Sequence, residues 1–522
     1  MQNTKQFPPL TKSLLAMLGP SVVFVALSLN GGEMLLWPSL VANFGLKILW
    51  PIPIILLLQF VVNIEIERYT LVTGKRVETA LVQNKAWLAV VFAFTVVIAL
   101  MWPAWMSTAG NIIAVVFGVP AGLERNVGLA LAIMLLGLSV LVFKKPNIYN
   151  ALEKISRFGL SLALSIILIV VIAKFNAGVF WEGLKGLVNF GYLPQGLPRF
   201  DFVAALAYGG VAGVLNLVQS EWIADKGYGV NSSPVIPEAT SPRGLSGIHP
   251  THNLDSGSEA GMTEPTELET TESISNFKRW FAFINKEHAL LFVLANLFSI
   301  FLLSYLGRIL LPMGTAQGFG VLKAEIIALN HFFPYLGTLF GLAGTLIFIM
   351  ANLTILDAIG RLMARILQPA FHKSFVGASF PVLHNFSEGG SRPQLGSQTG
   401  DQGQPLLDSS KLSIVAALLG MAILFLSLFI PAFKQPFFLL VLSACLSAFT
   451  MWLYPPLLLQ LNYALPKVAR PSFWRALLVI ICTIGYGFVT LWALSLYLPL
   501  WILILVATVI TSYHIKTLWV KI

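Results

Sequence analysis

The sequence predicts an all-α polytopic membrane protein of about 12 transmembrane helices, an inverted 5+5 repeat with discontinuous first and sixth helices. Three observations carry this expectation. Of 522 residues, 57% are hydrophobic and only 11% charged, which excludes an ordinary soluble globular protein. Apolar runs near twenty residues recur along the chain, and glycine clusters interrupt two of them at corresponding places in the two halves.

The runs fall at 14–44, 46–64, 87–117, 127–143, 156–173, 200–223, 288–311, 331–356, 412–432, 436–460, 474–494 and 496–513. The fourth is the shortest, and the last two are divided only near Ser495 and Pro499. With both termini cytoplasmic, 25 of the 33 basic residues lie inside, so the positive-inside rule supports an even span count and this orientation. The same asymmetry accounts for the net charge of +10 without a nucleic-acid partner, because the basic residues are spread over many loops rather than gathered on one face. A short polar lead, Met1 to Lys12, precedes a run too long for a cleavable signal, so the first run reads as a retained span. Cys445 and Cys482 both fall in predicted helices and imply neither a disulfide framework nor a metal site.

Composition divides the chain into a first repeat with the broken sixth helix (1–227), a disordered cytoplasmic linker (228–285), spans seven and eight (286–383), a second disordered linker (384–410) and spans nine to twelve (411–522). Phe277 to Ile284, with Lys278, Arg279 and Trp280, reads as an interfacial amphipathic lead into span seven. His249 and His252 in the first linker lack a carboxylate or thiol at fixed spacing and read as solvated residues.

The candidate site lies at the breaks. Asn30-Gly31-Gly32-Glu33 puts a carboxylate and a carboxamide astride a glycine pair within an apolar run. The glycines let a helix unwind, and Glu33 at membrane depth costs at least roughly 2.5 kcal/mol, so it is expected to line a pathway. Gly209, Gly210 and Gly213 interrupt the sixth run at similar depth, where freed carbonyls and helix termini would supply ligands. Tight helix packing is the alternative use of the same glycines. Glu33 reads as an ion ligand or proton carrier, or else as an ion-pair partner, although no cationic residue lies in a predicted span core. Asn30 suits a ligand or a helix cap. Asn216 and Gln219, three apart on one face, suit ion coordination or hydrogen bonding across helices.

Glu65, Glu67 and Arg68 with Glu221, Asp225 and Lys226 read as a cytoplasmic ion-pair network that could lock an inward gate. Asn352, Thr354 and Asp357 offer oxygen ligands near the inner end of span eight, and Trp102-Pro103 marks a kink. No Ser/His/Asp or Cys/His arrangement and no phosphate-cradling loop occurs in the spans, so an enzyme is disfavoured and no cofactor is expected.

Gly19-Pro20, followed eleven positions after the glycine by Asn30-Gly31-Gly32-Glu33, resembles the first helix of the Nramp divalent-metal transporters, which carries Gly-Pro and then Asp-Pro-Gly-Asn. Further echoes are Phe117-Gly118-Val119-Pro120, the Asn147 to Arg157 stretch with Leu152-Glu153, Asn216-Leu217, and Leu461-Asn462 with Leu465-Pro466 and Arg470-Pro471. The chain departs from the family where it matters chemically. Asn30 stands where the family has its metal-binding Asp, and Glu33 where it has Asn. The family's Met-Pro-His falls on Gly213-Val214-Leu215, so the soft thioether is missing, and its acidic third-helix positions fall on Trp102 and Trp105. The upstream carbonyl ligand falls on Gly210, which makes Asn30, Glu33 and Gly210 the metal site the resemblance implies.

Together these readings describe a secondary active transporter of a small cation, a divalent metal ion by resemblance, working by alternating access with a proton as an optional co-substrate. An oxygen-only site would suit magnesium or manganese better than iron. The alternative is a carrier of an amino acid or another organic solute on the same scaffold. The expected partners are the transported cation and the lipid bilayer of a plasma or inner membrane.

Overall fold

The computed structural model describes residues 7–10, 19–29, 31–97, 103–145, 147–211, 213–231, 268, 270–314, 318–377, 408–430 and 436–519. All regular structure among them is helical. Among the described residues ten helices are long and apolar enough to cross a membrane. The third and sixth spans complete the expected twelve in pieces, Trp87–Thr95 with Ala104–Val116, and Arg199–Ala207 with Gln219–Asp225.

Local signals set the span ends. Pro20 and Pro51 open the first and second spans at positions whose missing N–H would have had no helical partner. Gly74, at φ 67°, closes the second span, Pro51–Thr73, in the left-handed conformation. The Asn147 side chain accepts from the Asn150 N–H at 3.2 Å to cap span five, Ile148–Ala173, and Asp408 caps span nine, Ser409–Ser427.

The helix pairs follow the inverted repeat. The first half of span one, Pro20–Ser28, packs on span five, as the first half of span six packs on span ten, Pro436–Leu453. The second half of span one, Trp37–Phe44, packs on span seven, as Gln219–Asp225 packs on span two. Spans three, four, eight (Leu336–Gly377) and nine form a scaffold beside these pairs.

One boundary differs from expectation. The segment read as linker to residue 285 becomes helical at Thr271, where the Thr270 hydroxyl accepts from the Ser273 N–H at 3.1 Å. Phe277, Trp280, Phe283 and Ile284 recur at helical spacing and are buried, with Phe277 edge-on to Phe7 and Trp280 against Tyr228. The stretch expected at the lipid interface is therefore the protein-packed start of span seven; its aromatic stripe outweighs the Ser/Thr/Glu content that reads as disorder. Residues 232–267 with His249 and His252, and residues 378–407, lie outside the described residues.

Candidate functional site

Span one is α-helical from Pro20 to Ser28, bends at Leu29, and resumes as a π-helical turn, Gly32–Leu36, before its second half. Span six stops at Ala207, leaves helical geometry over Tyr208 to Val211, and continues as a 3₁₀ segment, Gly213–Val218. The two breaks touch: a Cβ on Gly32 would overlap the Tyr208 carbonyl, so only glycine permits this approach. Gly213, at φ 79°, closes against Ser447 and Thr450 of span ten. Gly31 packs on Leu440 and Gly209 near the Trp37 indole, while Gly210 meets Gln59 and Phe292. Asn30 lies outside the described residues.

The π turn aims Glu33 into the protein, where it is wholly buried. Its Oε2 accepts from the Ser299 hydroxyl of span seven at 2.5 Å, and its Oε1 has no partner. Asn296, one turn before Ser299, accepts from Ser28 at 2.6 Å and so ties the end of the first half-helix to span seven. Other buried polar atoms near the breaks also lack partners: Gln59 Oε1, Trp37 Nε1 and Trp105 Nε1. The Trp105 ring lies 6.4 Å from that of Tyr208, whose hydroxyl bonds Ser443. One carboxylate, hydroxyls, a carboxamide and freed carbonyls are a hard-oxygen donor set. Among the described residues no group of three or more His, Cys, Asp or Glu side chains is arranged to hold a metal.

Asn216 and Gln219 do share a face, but it turns towards the C-terminal half of span two. Asn216 Nδ2 donates to Asn63 at 2.9 Å, and the Gln219 amide donates to Glu67. Gln219 also lies 3.2 Å from His288, as does Ser21. The two residues thus join a second buried cluster rather than the carboxylate at the break. A thioether beside them belongs to Met451, 3.7 Å from Asn216 Nδ2 and hydrogen-bonded by Tyr454 at 3.3 Å.

The expected ion-pair network is present but divided differently. Glu65 pairs with Arg68 at 2.8 Å and Arg475 at 3.4 Å, whereas Glu67, two residues on, points away to Gln219. Glu221 is held by Arg365 at 2.6 Å and Arg76 at 3.0 Å, and Arg361 bridges Asp225 and Asp357 at 2.6 and 2.7 Å. Asp357 also accepts from the Trp222 indole at 2.9 Å, so it belongs to this network, while Thr354 bonds its own helix. Lys226 pairs with Glu153 at 2.8 Å. These bonds fasten the second half of span six to spans two, five and eight.

Sequence reasoning missed Ser299, Asn296 and His288. A faint signal existed, since Asn296 and Ser299 are polar residues three apart in an apolar run and so share a helix face.

No family model matches the sequence, and neither does any curated protein. Solved structures do match in fold. A manganese transporter from Eremococcus coleocola, crystallised with an aromatic bis-isothiourea compound, superposes with a TM-score of 0.63 over 100% of this chain and 98% of its own, at 14% identity. Point mutants of that transporter match equally. Mhp1, a nucleobase-cation-symport-1 family transporter in a closed conformation with bromovinylhydantoin bound, matches with a TM-score of 0.50 over 92% of each chain, at 11% identity. The chain therefore has the broken-helix, inverted-repeat fold of these transporters.

Proposed function

We propose that this protein is a secondary active transporter that moves a divalent metal ion by alternating access, with Glu33 as its one charged ligand. The observation that carries the reading is a wholly buried carboxylate at the contact of two helix breaks, with one oxygen bonded to Ser299 and the other without a partner. No ion pair involves it among the described residues. A buried carboxylate left half-satisfied is costly unless something binds it. Asn30, Ser299 and the carbonyls around Tyr208 and Gly210 would complete an oxygen shell suited to magnesium or manganese. Gly31, Gly32, Gly209 and Gly213 serve by letting the backbones approach. The resemblance to Nramp transporters and the likeness to a manganese transporter support the same substrate class. The basic-residue distribution supports an orientation with both termini cytoplasmic.

A second reading has its own observation. Trp37 and Trp105 carry buried indole N–H donors without acceptors, and a bare cation cannot accept from them. An organic solute with a cationic group for Glu33 and acceptor atoms for the indoles would use both, as an amino acid does. Purified protein in liposomes, offered a panel of divalent cations and then amino acids, with and without a pH gradient, separates the two. The metal reading expects saturable divalent-ion influx; saturable amino-acid uptake with no ion influx contradicts it.

A further inference from the structure

Span seven also carries a buried histidine, roughly 15 Å along its axis from Ser299 towards the start of the helix. His288 is wholly buried, and its ring stacks between Phe292, with centroids 4.8 Å apart and planes 13° from parallel, and Phe60, at 5.9 Å and 23°. Phe24 closes a third side at 5.5 Å. Aromatic faces on both sides favour an imidazolium over an equally buried cation in an aliphatic setting.

The ring's polar atoms are surrounded at hydrogen-bonding distance. Nδ1 lies 3.2 Å from Ser21 Oγ, 3.2 Å from Gln219 Nε2 and 3.5 Å from Glu67 Oε1. Nε2 lies 3.1 Å from Asn63 Nδ2, and Asn63 Oδ1 in turn accepts from Asn216. The chain of amides ends on two buried oxygens without partners, Asn216 Oδ1 and Gln219 Oε1. Besides Glu67, the nearby acid is Glu287 on the histidine's own helix, which accepts from the Gly19 N–H at 3.2 Å and the Tyr228 hydroxyl at 3.4 Å. Cations on the neighbouring elements are engaged elsewhere, Lys226 with Glu153, and Arg68 and Arg475 with Glu65.

We propose that this cluster is the site where the transporter binds a coupled proton, with Glu67 and His288 as the proton-binding pair and Asn63 and Asn216 as the readout. The inference rests on reading Glu33 as the ion site. Contacts already at hydrogen-bond length leave a proton, rather than a metal ion, as the species that fits.

The step is simple in its balance. With Asn63 donating to Nε2, the neutral ring carries its one N–H at Nδ1, towards Ser21 and Glu67. A proton arriving from solvent adds to Nε2 while the Nδ1 proton passes to the Glu67 carboxylate, so one N–H bond forms, one breaks and an O–H bond forms, and the pair ends as a neutral Nε2–H ring facing a protonated Glu67. Nε2–H then needs an acceptor, so the Asn63 amide turns to offer Oδ1. Its nitrogen now faces Asn216, which turns its unpartnered Oδ1 to accept. Asn216 lies in the 3₁₀ segment directly after the sixth-helix break, so the protonation state of the pair reaches the segment beside the ion. Release of the proton reverses each turn.

The test uses full-length protein in liposomes with a manganese gradient and an internal pH dye. Wild-type influx is expected to carry protons, and the protons carried per manganese ion should fall to none in Glu67→Gln and in His288→Gln. An unchanged ratio in both variants, or wild-type influx without protons, overturns the coupling site while leaving the ion site standing. Absence of saturable manganese influx in the wild type instead removes the reading on which it rests. Should both variants misfold, dicyclohexylcarbodiimide on the wild-type protein supplies the second measurement, because it modifies protonated carboxyls within membranes. Glu67 should be labelled at acidic pH and spared at alkaline pH, with Glu33 alone protected by manganese. Glu67 left unlabelled across the pH range contradicts the proposal.

Discussion

Glu33 and Glu221 are both buried carboxylates on broken helices, and their surroundings differ completely. Glu221 faces three guanidinium groups, from Arg76, Arg361 and Arg365, whereas Glu33 has one serine hydroxyl and a free oxygen. Folding has provided counter-charge for one and withheld it from the other. A compensated carboxylate holds helices together, and an uncompensated one is kept for a ligand that arrives later. In this account Glu221 belongs to the inner gate and Glu33 to the ion site, so substituting them should have opposite signatures.

The largest effect on stability should come from Glu221→Gln. Removing its charge strips Arg365 and Arg76 of their shared partner, and breaking a buried pair in this way costs about 3–5 kcal/mol. Thermal unfolding in nanodiscs should show the loss, and a cysteine introduced at Ser220 should become reactive from the inner side. A Glu221→Gln protein as stable and as closed as wild type would erase the contrast between the two sites.

Ser299→Ala sharpens the comparison from the other side. It leaves both oxygens of Glu33 without hydrogen bonds, and groups that orient a ligand typically change affinity by about 10–100-fold. Ion uptake should fall by about tenfold with little change in melting temperature; unchanged uptake would make Ser299 a packing residue only.

A smaller effect concerns Glu78, in the short helix Val77–Asn84 after the second span. Burial, and then the neighbouring Glu221 charge, push its carboxyl up to about 8, while the Ser220 hydroxyl donates to it at 2.6 Å. The folded protein therefore holds this proton when the unfolded chain has lost it. Stability should decline as pH rises from the ordinary carboxylate range towards 8 and level off above it. Glu78→Gln should flatten that part of the stability profile, and an unaltered slope would remove Glu78 as its source.

Least of all should follow from deleting 232–267, a stretch of Ser, Thr, Pro, Gly and Glu with little apolar surface to bury. Expression and uptake should persist; lost uptake at normal expression would assign that segment a regulatory role.

The contrast also explains what the sequence could disclose. Glu33 and the glycines at 31, 32, 209, 210 and 213 were legible because a carboxylate is expensive at membrane depth and glycine is poor in a helix interior, so each residue type signals by itself. Ser299 was not legible, since serine is inexpensive in a span and its partner lies 266 positions away. His288 stands at the edge of an apolar run, where the interface was expected; the helix actually begins at Thr271 and carries it inward. Glu67 was grouped with Glu65 because they are neighbours in sequence. Two residues along a helix is about 200° of rotation, and the pair diverges accordingly to Gln219 and Arg68.

Under the proposed function Glu33 is held without counter-charge for a cation. Glu33→Gln preserves shape and removes the charge, so isothermal titration of manganese into the purified variant, beside uptake in liposomes, tests it directly. A folded protein at least as stable as wild type is expected, with saturable manganese binding and uptake both lost. Wild-type affinity and uptake in Glu33→Gln would contradict it and leave Glu33 as a structural hydrogen-bond partner of Ser299.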